Sequence, residues 1–122
     1  MQNRAAQAYG QTAVKTGNPR EVEAQLLLKA AARLEALRTG EPDLQQARDA
    51  ITYNRKLWTV FASSIARPEN PLPKEVKDNI GSLAVFILGK SIEAFSSPDP
   101  DTLAPLVSIN RQIAAGLSGN AT

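Results

Sequence analysis

At 122 residues the chain is long enough for one domain with a core of its own, and 43% apolar content excludes full-length disorder. It has no Cys and no His, which excludes a disulfide framework, thiol or imidazole metal sites, and nucleophilic catalysis by a Cys–His or Ser–His pair. Fourteen Lys/Arg and twelve Asp/Glu are interspersed, for a net charge of +2. Arg55-Lys56 is the only adjacent basic pair, so the concentrated basic footprint of a nucleic-acid binder is missing.

Aromatic residues make up only 5%, and Ala and Leu are abundant, which favours helices over a β-sandwich or barrel. The first residues run into Ala, Gln and Tyr without the apolar stretch of a secretory signal. The longest apolar run, Leu83 to Leu88, falls far short of the roughly 20 residues that span a bilayer. A cytoplasmic protein is expected.

In chain order, Gln2 to about Lys15 is a weakly apolar helix candidate with Tyr9 as its one large anchor, expected to dock loosely over residues 1–16. Asn18-Pro19-Arg20-Glu21 is a helix start: Asn18 can cap, Pro19 fits the first helical position and Glu21 can complete a capping box. The helix runs to about Arg38, with Leu27, Ala31 and Leu34 on one side and Gly40 as its stop. Glu23, Lys29, Arg33 and Glu35 read as its solvated face.

Pro42 and Asp43 open the central helix, which should end near Arg67-Pro68. Leu44, Ala47, Ile51, Asn54, Trp58, Phe61 and Ile65 step by three and four, which places all seven on one stripe. The only Trp is among them, and so is one amide, Asn54. Arg48 and Asp49 fall off the stripe and should face water.

Asn70-Pro71-Leu72-Pro73 is a rigid linker, because each Pro biases its predecessor away from helix. The next helix, from Pro73, carries Val76, Ile80, Leu83, Ala84, Ile87, Ser91 and Ala94 or Phe95 on its stripe. Val85, Phe86 and Leu88 make it apolar nearly all round, the mark of a buried element or of one with a side covered by a partner. Gly81 and Gly89 are costly there and suggest close helix approach.

Ser96 to Asp101 is a second linker with Asp99 and Asp101 as capping groups. The last helix is expected from Thr102 or Leu103, keeping Pro105 in its first turn. Leu103, Leu106, Asn110, Ile113 and Leu117 repeat the three-four spacing, and residues 118–122 form a frayed tail. No strand pattern competes. The fold class is all-α: a compact single-domain helical bundle of four to five helices over residues 1–122.

No metal spacing, phosphate-cradling glycine loop or paired-carboxylate motif stands out, so no cofactor and no enzyme activity are expected. The unusual features are two Asn-Arg pairs on core-spaced stripes, Asn54-Arg55 and Asn110-Arg111. In one reading each Asn bridges helices through backbone carbonyls or the other Asn, while each Arg reaches outward. In the other, the stripes line a groove that receives a peptide.

Several of these segments together carry a resemblance: Ala8-Tyr9, Asn18-Pro19-Arg20-Glu21 with Glu23-Ala24, the Leu26–Leu37 helix, Tyr53-Asn54-Arg55-Lys56-Leu57-Trp58, Asn70-Pro71-Leu72-Pro73 and Ile109 to Leu117. In this order, from about Tyr9 to Leu117, they resemble the flagellar biosynthesis regulator FlaF family. The resemblance implies a small cytosolic non-enzyme that controls flagellin synthesis and export, as a flagellin-binding regulator or secretion chaperone. Its partners would be flagellin and a FlbT-like regulator, with no membrane. The alternative is a post-transcriptional regulator of flagellin messenger RNA, acting directly or through FlbT; the scattered aromatics and mixed charge argue against direct nucleic-acid contact.

A bundle of this kind can hold an amphipathic flagellin helix in an apolar groove. The groove is expected between the central and last helices, with Asn54, Arg55, Leu57, Trp58, Phe61, Asn110 and Arg111 as partner-binding residues at or near its rim.

Overall fold

A computed structural model describes residues 19–119. The expected N-terminal helix with Tyr9, the Asn18 cap and the last residues of the tail lie outside that range. Four helices follow in order: α1 (Pro19–Thr39), α2 (Leu44–Ala66), α3 (Lys74–Ser96) and α4 (Pro100–Leu117). The all-α bundle expected from the sequence is what forms.

The helix ends follow from local chemistry. Pro19 takes the first position of α1, where its missing N–H costs nothing. At Gly40 a Cβ would come within 2.9 Å of the Ala36 carbonyl oxygen, so only glycine lets the chain leave α1 at this angle. Asp43 caps α2 through a capping box with Gln46: its carboxylate accepts from the Gln46 N–H at 2.7 Å, and the Gln46 side chain accepts from the Asp43 N–H. The next linker is tied down by Asn70, whose Oδ1 accepts from the Leu72 N–H at 3.0 Å while its Nδ2 donates to the Ser64 carbonyl.

The last helix begins earlier than the sequence suggests. Asp99 and Thr102 form a capping box and Pro100 occupies the first turn, so α4 starts two residues upstream of Thr102. Pro105 consequently sits inside the helix rather than in its first turn. The lost bond would have gone to the carbonyl of Asp101, an exposed residue whose backbone water can satisfy.

Each helix packs on its neighbours in sequence, and α4 closes the ring onto α1, while α1–α3 and α2–α4 face each other across the centre. The linkers are short, so neighbours run antiparallel. The α1–α4 interface is the most extensive. Buried Ala24, Ala30, Ala31 and Ala114 supply the small side chains that let two helices approach closely.

The α2 stripe is buried from Ala47 through Ile51, Asn54, Trp58, Phe61 and Ile65, as the spacing predicts. Leu44, in its first turn, is exposed instead. Glu23 departs from its expected place on a solvated face: it is 2% exposed and receives both Arg20 nitrogens, Nε and Nη2, at 2.7 and 2.8 Å. A fork-shaped guanidinium is the partner a buried carboxylate needs. Arg48, expected in water, is half-buried with its guanidinium 4.8 Å above the Phe95 ring.

Candidate partner-binding site

The seven residues singled out by sequence divide cleanly. Asn54, Leu57, Trp58, Phe61 and Asn110 are at most 1% exposed, whereas Arg55 and Arg111 point to solvent. The expected groove rim is therefore corrected: these five side chains fill the centre of the bundle, where apolar rings and amides from facing helices meet. Trp58 and Phe61 pack edge to face at 5.4 Å between centroids.

The amides form a directed chain whose sense is fixed by its first member. An indole N–H can only donate, so Trp58 Nε1 donates to Asn110 Oδ1 at 2.8 Å. That orients Asn110, whose Nδ2 must donate: to Asn54 Oδ1 at 2.7 Å and to the Leu27 carbonyl at 3.3 Å. Asn54 in turn has its Nδ2 left over, the one buried side-chain polar atom among the described residues without a partner. Flipping Asn54 would set two amino groups face to face, so the orphan is the least costly arrangement of the set.

One residue, Asn110, thus binds α1 and α2 to α4, including the α2–α4 diagonal where the backbones do not meet. The reading in which each Asn bridges helices through the other Asn or a backbone carbonyl matches this geometry. The network is structural: nothing in it reaches solvent.

The chemistry that remains is on the surface. At the α1–α4 edge, Glu35 accepts from Arg38 Nε and Nη2 at 2.8 Å each, with Arg111 nearby. The Arg38 hydrogen bonds hold the Glu35 carboxyl below the usual carboxylate range, and the Arg111 charge adds to the effect. This pair stands over an open cleft of about 430 Å³ with Val107 and Ser108. A second groove, of about 490 Å³, lies between the start of α3 and the end of α4 and is lined by Leu72, Val76, Ile80, Ile113 and Leu117, with Arg20 at one side.

α3 is the helix sequence reasoning left unresolved. Of the seven large apolar side chains that are exposed among the described residues, five lie on it: Val76, Val85, Phe86, Ile92 and Phe95. Gly81 and Gly89 also lie outward, and a Cβ at either would meet nothing within 4 Å. Neither glycine serves close packing within the bundle, contrary to expectation. Among the described residues no cluster of acidic side chains could hold a metal ion, and no helix is long and apolar enough to cross a membrane.

The protein is a small four-helix bundle with an amide–indole network at its centre and most of its exposed large apolar side chains on α3. The chain belongs to the FlaF family: the family model described as flagellar protein FlaF matches residues 5–117. It is a flagellar protein by descent. No curated protein and no solved structure matches it.

Proposed function

We propose that the protein is a cytoplasmic flagellin-binding regulator and secretion chaperone, which holds an amphipathic flagellin helix and so couples flagellin synthesis to export. Family membership supplies the flagellar setting. The observation that carries the binding role is the concentration of exposed apolar side chains on α3, which the bundle's own folding leaves uncovered. Helix-in-groove binding needs such a surface and no reactive groups.

Co-expression with the cognate flagellin, followed by size-exclusion chromatography and a salt titration, tests the proposal. A discrete complex that survives moderate salt is expected, because apolar burial is insensitive to screening. Absence of a complex when both proteins are soluble and folded would overturn it. RNA that co-elutes and is lost steeply with salt would redirect the reading to flagellin messenger RNA.

A further inference from the structure

α3 carries two stripes of three-four spacing, one residue out of phase. Ile80, Ala84, Ile87, Ser91 and Ala94 form the buried one. Gly81, Val85, Leu88, Ile92 and Phe95 run beside it, turned outward by about 100°. Val85 and Ile92 are each 72% exposed, Phe95 is exposed and Leu88 is half-buried. The inner stripe holds mostly small or medium side chains, and the outer holds larger ones.

The inner stripe, with half-buried Leu83 beside it, is what α3 packs into the core. An outer stripe with the same spacing, about 21 Å long at 1.5 Å per residue, has the form of a seam for packing another helix. Gly81, and Gly89 beside the stripe, weaken α3 as a helix, yet a Cβ on either would meet nothing within 4 Å among the described residues. Against a docked helix they would let the two backbones approach.

The neighbouring shoulder of α2 gives the seam its charge. Arg48 donates from Nε to the Phe95 carbonyl at 2.9 Å and lies over the Phe95 ring, so it borders the seam. Arg55, seven residues on, lies two turns along the same side of α2 and is exposed. Among the described residues neither makes an ion pair, whereas Asp78, one step before Gly81 on the same spacing, and Glu93, on the far shoulder of α3, are paired with Lys74 and Lys90. A helix lying in the seam therefore meets unneutralised cations along one flank.

This charge selects among occupants. Residues 1–18 of the chain contain Arg4 and Lys15 and no Asp or Glu, the wrong sign for that flank. A second copy would present its own α3, whose acids along the seam's length, Asp78 and Glu93, are already paired, while Glu75 lies before the seam begins at Gly81. An acidic amphipathic helix from a different protein fits both the apolar and the charged part. We propose that the Gly81–Phe95 seam, with Arg48 and Arg55 as its rim, receives a flagellin helix with its apolar face on α3 and acidic side chains along α2; this rests on the flagellin-binding reading above.

The chain has no Cys, so Val85→Cys in the full-length protein creates a single reporter thiol. Maleimide labelling of that thiol is expected to be fast in the free monomer and to slow by about tenfold or more when purified flagellin is added. Ile92→Asp and Arg55→Glu, both at exposed positions, are each expected to weaken flagellin capture by about tenfold, a single hot-spot effect. Arg111→Glu, on α4, is expected to leave capture unchanged.

If wild-type protein captures flagellin while the thiol labels at the same rate, the seam is overturned and the flagellin reading stands. If wild-type protein captures no flagellin, both are overturned. Slow labelling of a free dimer would assign the seam to a second copy, and slow labelling of a free monomer would assign it to the chain's own N-terminal residues. Either result overturns the proposal.

Discussion

α2 and α3 are of equal length and lie side by side, yet they distribute polarity in opposite ways. α2 turns an amide and an indole N–H inward and leaves Arg55 and Thr59 outside. α3 turns Ala84, Ser91 and Ala94 inward and leaves Val85, Phe86, Ile92 and Phe95 outside. Buried polar groups on α2 bond Asn110 of α4, which also bonds α1, and so select one arrangement of the bundle. Exposed apolar groups on α3 select nothing within the chain. One helix places polar groups inside the fold, and the other leaves large apolar side chains outside it.

The contrast implies a steep difference in mutational cost. Trp58→Ala removes the largest fully buried side chain and strips Asn110 Oδ1 of its donor, and is expected to destabilise by about 4 kcal/mol or more. Chemical denaturation measures it, and a loss below about 1 kcal/mol would contradict the placement of the ring. Asn110→Ala comes next: it leaves the indole N–H and Asn54 Oδ1 unsatisfied together, for an expected loss of about 2–4 kcal/mol.

Asn54→Leu sharpens that result, because Asn54 accepts one hydrogen bond and carries the orphan donor. An apolar side chain of similar size removes both, so a change within about 1 kcal/mol of zero is expected in the same denaturation series. If Asn54→Leu proved as costly as Asn110→Ala, the direction of the amide chain would be wrong. On α3 the sign reverses. Gly89→Ala should stabilise the free protein by up to about 1 kcal/mol, since the added methyl meets open space in a helix interior.

The smallest effect belongs to the surface pair Glu35–Arg38. The hydrogen-bonded Glu35 carboxyl has a folded pKa below its unfolded value, so its contribution is present in full above the ordinary carboxylate range and is lost as pH falls through the folded pKa. Melting curves of wild type and Glu35→Gln from neutral to acid pH should therefore differ slightly above that range and converge below it. Divergence on acidification would show the sign to be reversed.

Most of this architecture is legible in the chain because it rests on local rules. The α2 stripe, the Asp43 and Asp99 caps and the proline-bounded linkers each depend on residues a few positions apart. Asn54 and Asn110 stood out for the same reason, as amides at core spacing. What could not be read was which surface each faced, since a stripe of three-four spacing looks alike whether its partner is within the chain or outside it. For α2 and α4 the partner is inside. On α3 the stripe read from the spacing, through Ile80, Ala84, Ile87, Ser91 and Ala94, does turn inward, while Val76 at its start and Phe95 at its end stay exposed. Glu23 was misplaced because its burial depends on a bidentate Arg20 rather than on periodicity. Of the expected site, Arg55 and Arg111 are the members that reach solvent.

The hub position of Asn110 also sets an order of events during synthesis. Asn110 lies in the last of the four helices, and the α1–α4 interface joins segments far apart in sequence. Until α4 emerges, the Trp58 indole and Asn54 face a three-helix intermediate with no amide to receive them. At the usual pace of translation its 18 residues take roughly 1–4 s to make. Over that interval α1 and α3 lack the helix that covers them in the finished bundle. The last helix is therefore the latch of the fold, and a truncation that removed it would yield a species prone to aggregation rather than a smaller bundle.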